Sequence, residues 1–474
     1  MLSSRTQFAA LLITGLLFRA VALPGPGTGD VTLWKIWSYN AARHGVGEMY
    51  GVGGTPLERR ELEYAGATAV VDYPPLALFE LGVAGHAYWW WSSHRFPNTT
   101  PLNAFVKLPA LAAEIGLLLL IFAVVRAQLG VGAARLAAVA YWLNPAALFD
   151  ASILGYLDAQ FVLPAIAALA AAAYGWPAVA GALIAAAVLT KAQAVFIAPA
   201  VVLAIWTVGG ARGRVRRLAA SAAGALAVAA AITLPVIIAG GGPNMAQALS
   251  RLAHHDMLSA NALNLWWAIG WVLRVRYSMH DMGLWAALTA PAKILGIQRV
   301  VDLGYPDPRS IGIVLTIGGT AWAMWTVYKS TIDATIPSTI QSAIQSAIRN
   351  PRSAIDVWLV AGLAAFCVHA YATLSAQVHE NHLFAAVPLL VLAAAGRRAL
   401  WPICAAVSAV AALNLNLFYG FGDGVGYALP RAWTIVDVTV IAALLNCSLL
   451  LWHARVLRSE CSTAAARRQS PAPA

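Results

Sequence analysis

Long apolar runs alternate along this chain with short polar clusters, and the alternation is that of a protein threaded repeatedly through a bilayer. Runs such as 111–125, 218–238 and 357–370 are nearly free of charge, over lengths approaching the roughly 20 residues a helix needs to cross a membrane. Basic residues collect between the runs, at Arg126–Arg135, Arg212–Arg217, Arg397–Arg398 and Arg455–Arg468, as they do in cytoplasmic loops under the positive-inside rule. Holding those clusters on one side predicts twelve crossings, near 7–23, 105–125, 136–149, 160–174, 176–190, 194–209, 218–239, 310–328, 355–374, 383–396, 400–418 and 432–452, with both termini cytoplasmic. Two further apolar stretches, 75–91 and 263–273, would break the alternation if they crossed. They are expected to lie in the interface or dip into it, in the first and fourth outer loops, and Trp89–Trp91 ends the first stretch like an interfacial belt. The first run has no small-residue cleavage site before Pro24, so it reads as a retained span and not as a signal peptide.

Composition agrees and removes other classes. Of 474 residues, 60% are hydrophobic and 11% charged, against about 25% charged in soluble domains, so the chain cannot cover a soluble surface. The formal charge of +11 is spent in loops and not on one face, which excludes a nucleic-acid partner and leaves membrane lipid as the surrounding partner. Cys367, Cys404 and Cys447 lie in apolar runs and Cys461 in the polar tail, with neither a disulfide framework nor a metal knuckle. The excess of Arg over Lys and the abundance of Ala suggest a GC-rich genome and favour a bacterial plasma membrane over the ER. The stretch 330–350 reads as a cytoplasmic linker.

The same parity places the unusual polar residues on the outer side together: Asp30; Asp72 with Tyr73; Asp158 with Gln160; Lys191 with Gln193; Arg251 to Asp256; Asn261 with Asn264; and His379-Glu380-Asn381-His382. Ionisable groups near membrane depth are costly and tend to mark sites, so one outward-facing site built from several loops accounts for them at once. Each has a plainer reading. Asp30 can cap a helix starting near Thr32, Asp72 can belong to a turn leading into a helix with Pro75 at its first position, Asp158 can be a solvated helix-start acid, and Lys191 can snorkel. His254, His255 and Asp256 can be a solvated loop. His379 and His382, three apart, fall on one face if helical, but the spacing is not that of the H-E-x-x-H zinc motif. No cofactor is expected, and a divalent metal is compatible with these residue types without being indicated. Trp34, Trp37, Trp266 and Trp267 read either as interfacial anchors or as platforms for a sugar ring.

Read in order, these pieces resemble the polytopic glycosyltransferases of the GT-C fold, with bacterial mannosyltransferase-like members nearest and the ER glucosyltransferases of lipid-linked oligosaccharides more distant. Gly29-Asp30 with Trp34 and Trp37 looks like the acidic motif after the first span, and Asp72-Tyr73-Pro74-Pro75-Leu76 like a D-Y-P-P-L sequence. Asn144-Pro145 followed by Ser152, Gly155 and Asp158 is similar to a second acidic region. Thr190-Lys191-Ala192-Gln193 resembles T-K-P-Q, with Ala192 where Pro is usual. Ser259–Trp266 resembles S-x-N-A-x-N-L-W, and His379-Glu380-Asn381 an H-E-[RK] motif. Two departures stand out: Tyr156 where bacterial relatives often carry Gln, and Asn381 where they carry a basic residue.

The resemblance implies an all-α membrane fold, with a GT-C-like module over 1–273, C-terminal transmembrane helices over 274–454 and a cytoplasmic tail over 455–474. It implies transfer of a hexose, mannose or glucose, from a polyprenyl-phosphate-linked donor to a hydroxyl of a lipid-linked or protein acceptor. Asp30 would be the catalytic base. Asp72, Tyr73, Asp158, Gln160, Lys191, Gln193, Arg251, Asn261, Asn264, Trp266, His379, Glu380 and His382 would bind substrate. Two other classes remain open on the sequence: a polytopic transporter, and a ligase or polymerase taking lipid-linked oligosaccharide.

Overall fold

The computed structural model of the protein describes residues 4–51, 61–209, 213–252, 257–273, 275–276, 279, 307–332, 356–422 and 437–469. It is helical apart from one small hairpin. In chain order the helices are α1 Arg5–Ala22, α2 Gly29–His44, α3 Pro75–Trp91, α4 Thr100–Trp142, α5 Pro145–Ala147, α6 Asp158–Ala173, α7 Pro177–Thr190, α8 Ala198–Thr207, α9 Arg214–Ile238, α10 Gly242–Leu252, α11 Pro308–Ile332, α12 Val357–Leu374, α13 Ala386–Gly396, α14 Trp401–Tyr419 and α15 Val438–Gln469. The antiparallel strands Leu62–Tyr64 and Ala67–Ala69 lie between α2 and α3.

Among the described residues, seven helices are long and apolar enough to cross a membrane: α1, α4, α9, α11, α12, the run Arg398–Tyr419 and the start of α15. The expected crossings at 160–174, 176–190, 194–209 and 383–396 fall on shorter apolar helices, Asp158–Ala173, Pro177–Thr190, Ala192–Thr207 and His382–Gly396, and a fifth, Pro145–Leu154, overlaps the end of the span expected at 136–149. This is an all-α integral membrane protein. The expected spans at 105–125 and 136–149 are redrawn. α4 runs through both but is broken at Gly130, whose φ of 81° and ψ of 175° fold the chain back. A left-handed φ of this kind is cheap only for glycine. The returning helix stops at Asn144-Pro145, because the residue before a proline is driven out of the helical region, and a π-helical turn, Leu148–Leu154, follows. α3 packs along α2, closely enough that a Cβ on Gly85 would meet the Ser38 carbonyl oxygen at 2.2 Å, and it leaves Trp90 and Trp91 exposed. α15 continues unbroken to Gln469, so the segment after 455 begins as helix.

The four tryptophans read as anchors or sugar platforms are neither. Trp34, Trp37, Trp266 and Trp267 are all buried, and three spend the indole N–H inside the protein: Trp34 on the Gly155 carbonyl, Trp266 on the Leu374 carbonyl and Trp267 on the Thr439 hydroxyl. Asn98 is exposed and accepts from Lys35 Nζ at 3.2 Å.

One ionic contact fastens α1 into the bundle. Arg19 grips Glu114 of α4 with two parallel hydrogen bonds, Nε to Oε2 at 3.0 Å and Nη2 to Oε1 at 2.9 Å. Its third nitrogen reaches the Trp142 carbonyl at 2.8 Å, and the guanidinium lies 3.7 Å from the Trp142 ring centroid. Both charged side chains are wholly buried. A fork matched to a carboxylate is the geometry that offsets the cost of burying two charges. Arg19→Met should therefore lower stability by about 3–5 kcal/mol by stranding Glu114, and Arg19→Met with Glu114→Leu should regain most of it. Thermal unfolding of wild type and the two variants in one detergent checks this, and a double variant no more stable than the single one would contradict it.

Candidate functional site

The π-helical turn Leu148–Leu154 ends on Gly155 at φ +82°, where a Cβ would lie 2.7 Å from Val31 Cγ2 and 2.9 Å from Lys107 Cε. Only glycine fits there, and the reversal it permits starts α6 at Asp158 itself. That carboxylate is fully buried and accepts three hydrogen bonds: from Lys191 Nζ at 2.9 Å to Oδ1 and 3.0 Å to Oδ2, and from Asn381 Nδ2 at 2.7 Å to Oδ2. Lys191 sits with extended φ/ψ in the break between α7 and the 3-10 turn Ala192–Phe196. With side-chain exposures of 0% and 4%, neither the solvated-acid reading of Asp158 nor the snorkelling reading of Lys191 holds. Both groups are drawn inward because each is the other's counter-charge.

Asp30 borders this pair. The cap of α2 is Thr28, so Asp30 lies in the first turn and does not cap the helix. It is half-buried. Burial pushes its pKa up to about 6, with Lys191 pulling against the rise and Asp72 and Asp158 adding to it. The helix begins here because Thr28 N–H is tied to the Leu154 carbonyl at 3.0 Å and the Trp34 indole to Gly155 at 2.8 Å, which joins the Asp30 turn to the Asp158 turn. Asp72 precedes Tyr73 and Pro74, and Pro75 does open α3 as its first residue. The Tyr73 ring packs against Trp34 and Trp37 at 5.2 and 5.6 Å, and its carbonyl accepts from the Tyr50 hydroxyl at 2.6 Å. Burial pushes the Tyr73 phenol up.

The His379–His382 segment is not helical as expected. His379 bridges to Ala260 and Asn261, Ala260 N–H bonds the Val378 carbonyl at 2.9 Å, and His382 opens a 3-10 turn, His382–Ala385. The two rings still meet, with centroids 5.3 Å apart. His382 Nδ1 accepts from the His379 amide at 3.4 Å and faces the Tyr371 hydroxyl at 3.0 Å, while Nε2 lies 3.1 Å from the Gln193 amide. Gln193 Oε1 is buried without a partner, so a flipped amide that accepts from His382 Nε2–H satisfies both groups. Glu380 accepts from the Tyr156 hydroxyl through a short hydrogen bond and is also bonded by Tyr419. Burial pushes Glu380 up to about 7, with the Tyr156 bond opposing the rise and the nearby Asp30 charge adding to it.

Asn261, at φ +59°, donates to the Tyr419 hydroxyl at 3.4 Å. Asn414 holds its turn from below, donating to the Asn261 carbonyl at 2.7 Å and accepting from Leu263 N–H at 2.8 Å. Asn264 and Trp266 serve that loop's framework: Asn264 accepts from Trp267 N–H at 2.9 Å and donates to the Ser375 carbonyl. Gln160 is buried, and neither end of its amide has a partner. It lies two residues beyond Asp158, and helical residues two apart do not share a face. Arg251 is exposed in the last turn of α10, and no hydrogen bond or ion pair among the described residues ties it to the cluster. His254, His255 and Asp256 lie outside the described residues.

Four polar groups belong beside this cluster that sequence reading passed over. Tyr371 stacks on Phe196 at 3.7 Å and supports His382, and Tyr419 joins Glu380 to Asn261. Glu80 of α3 hydrogen-bonds Thr190, next to Lys191. Asp150 is fully buried with both carboxylate oxygens unpartnered, within electrostatic range of Asp158 and Lys191. Asp150 and Glu80 stand alone in apolar runs, and that isolation is the signal that finds them.

No family model and no curated protein matches the chain. Among solved structures it is similar to the archaeal oligosaccharyltransferase AglB from Archaeoglobus fulgidus, in complex with an inhibitory peptide and a dolichol-phosphate. The identity is 15% over 99% of this chain, the TM-score 0.41, and the chain spans 56% of that structure's length. It is also similar to ArnT from Cupriavidus metallidurans bound to undecaprenyl phosphate, at 16% identity over 96% of this chain and 88% of that one, with a TM-score of 0.41. Superposition and identity at this level assign neither activity nor substrate.

Asn381 gives a direct test of the cluster's electrostatics. Asn381→Ala removes one donor to a buried carboxylate and should cost about 1–3 kcal/mol while Asp158 is ionised. Asn381→Asp sets a second carboxyl against Asp158, and two such groups cannot both ionise at contact. The folded protein then keeps a proton that the unfolded chain releases, so the Asp variant should be lost progressively as pH rises. Unfolding temperatures at pH 5 and pH 8 should show a deficit that grows toward pH 8 more steeply for Asn381→Asp than for Asn381→Ala.

Proposed function

We propose that this chain is a glycosyltransferase of the GT-C type, moving a hexose from a polyprenyl-phosphate carrier to an acceptor hydroxyl at the outer membrane face. The observation that carries the reading is Asp30: a half-buried carboxylate beside the buried Asp158–Lys191 pair, in a cluster that also holds the His379 and His382 rings. An acceptor hydroxyl needs a base at the moment it attacks, and a carboxylate with a pKa near 6 is ionised at neutral pH yet basic enough to take the proton.

In this scheme Asp30 accepts the hydroxyl proton as the acceptor oxygen bonds to the anomeric carbon. The bond from that carbon to the phosphate oxygen breaks, and the lipid phosphate leaves with the electron pair. Charge gathers on the phosphate, so fixed cations and N–H donors must face it. Asn381 cannot act there as a cation, and its amide is already spent on Asp158. The role passes to Lys191, whose ammonium keeps a third donor beyond the two directed at Asp158, and to the His379–His382 pair. Tyr156, the other departure from the family pattern, holds Glu380 within electrostatic range of Asp30.

Purified protein in lipid, offered labelled polyprenyl-phosphate-mannose and polyprenyl-phosphate-glucose with crude membrane acceptors, should consume one of them. Asp30→Asn should lower transfer by ~10²–10⁴-fold with the fold intact. Below pH 6 the base is protonated, so wild-type activity should fall on an acid limb with its midpoint near pH 6. Consumption of neither donor would favour the oligosaccharide ligase or transporter readings, and full activity in folded Asp30→Asn would remove Asp30 as the base.

A further inference from the structure

Asn103, Lys107 and Glu114 lie at i, i+4 and i+11 of α4, within one narrow stripe of the helix surface, and all three are buried. Ionisable side chains inside an apolar helix are a cost that calls for a reason. Glu114 is occupied by Arg19, with the Ser152 hydroxyl donating to Oε2 at 3.4 Å. Lys107 is occupied differently: among the described residues it has no carboxylate in a salt bridge or hydrogen bond. Its ammonium donates to three backbone carbonyls, Gly25 at 3.0 Å, Ser152 at 3.2 Å and Ile153 at 2.9 Å. An ammonium has three donors, so it is saturated by main chain alone. One turn away, Asn103 Nδ2 donates to the Pro24 carbonyl at 2.9 Å.

The acceptors come from two segments remote in sequence. Pro24 and Gly25 lie in the connection that delivers Asp30, while Ser152 and Ile153 lie in the π-helical turn that delivers Tyr156 and Asp158. Gly155 passes within the reach of the Lys107 stem, which is why a Cβ there would strike it. We propose that Lys107 is a positioning residue of the site: it clamps the Asp30 connection to the Asp158 turn and so fixes how deeply Asp30 sits beside the Asp158–Lys191 pair. An arginine cannot replace it, because a planar fork suits one carboxylate and not three carbonyls converging on a point. The inference rests on the role proposed for Asp30, and it extends that reading to a residue more than seventy positions away that the sequence motifs do not contain.

The test compares wild type, Lys107→Met and Lys107→Arg on two readouts. The first is transfer kinetics as a function of pH. With the clamp released, Asp30 should become more solvated, so the acid limb should shift to lower pH. kcat should drop at least tenfold while KM for the donor changes little. A residue needed only for folding would reduce the amount of active protein and leave the acid limb where it was. The second readout needs no activity: the pH dependence of carbodiimide labelling at Asp30, read by mass spectrometry, should shift the same way in both variants. If wild type transfers no sugar, this labelling still decides the clamp separately from the glycosyltransferase reading. Should both Lys107 variants fail to fold, Asn103→Ala loosens the same connection at Pro24 and should move the labelling curve in the same direction by a smaller amount. An acid limb and labelling curve identical to wild type in any folded variant of the pair, or in Asn103→Ala if it alone folds, overturns the proposal.

Discussion

The pairing of Asp158 with Lys191 is the constraint on which the rest of the cluster hangs. Each group alone would be prohibitively expensive where it lies, and the pair is tolerable because both carboxylate oxygens face the ammonium and Asn381 supplies a further donor. Three stretches of chain must therefore converge on one point: the start of α6, the break after α7 and the loop before α13. That convergence pulls together residues more than two hundred positions apart and sets the His379–His382 segment against the Asn261 turn. It also fixes the field around Asp30, where Lys191 opposes and Asp158 reinforces the effect of burial.

Around that pair the polar groups of the bundle interior are spent on backbone more than on each other. Lys107 holds three carbonyls, Asn103 one, and Asn414 both edges of the Asn261 turn. Asn446 donates to the Leu263 carbonyl and the Thr373 hydroxyl, and its oxygen faces His369 Nε2, whose Nδ1 in turn faces His453. In a chain with little charge to spare, single polar side chains on long helices do the work that β-ladders and caps do elsewhere: they pin irregular loops whose carbonyls and amides would otherwise be buried unpaired. The candidate site includes irregular backbone of this kind, with positive φ at Gly155, Asn261 and Gln377.

Much of this was legible in the sequence, and the omissions have physical causes. The helical membrane fold follows from apolar runs too long and too uncharged for any other solvent. Charge parity placed Asp30, Asp72, Asp158, Lys191, Gln193, Asn261 and the His379–His382 segment together, and the structure brings these residues into one neighbourhood. Gln160 is buried with its amide unpartnered, and Trp34 and Trp266, read as anchors or sugar platforms, are buried with their indoles bonded to backbone. Burial depth does not show in a motif: Asp158 and Lys191 each looked capable of reaching water, and only their mutual contact keeps them from it. The Arg19–Glu114 pair and Lys107 were passed over because each stands singly inside a run read as a span. A helical projection that asked what a lone ion inside a span must meet would have raised them. The kinks at Gly130 and Asn144-Pro145 were written plainly in residue type, yet an apolar count over those positions averages them away.

In the proposed mechanism a lipid-phosphate sugar sits between Asp30 and the Lys191 side of this cluster. An experimental structure of Asp30→Asn protein in lipid, trapped with polyprenyl-phosphate-glucose or polyprenyl-phosphate-mannose, tests it most directly. Phosphate density is expected against Lys191 and the His379–His382 rings, with the sugar's anomeric carbon facing residue 30. Donor density at another face of the bundle, or a phosphate remote from Lys191 and both histidines, would contradict it.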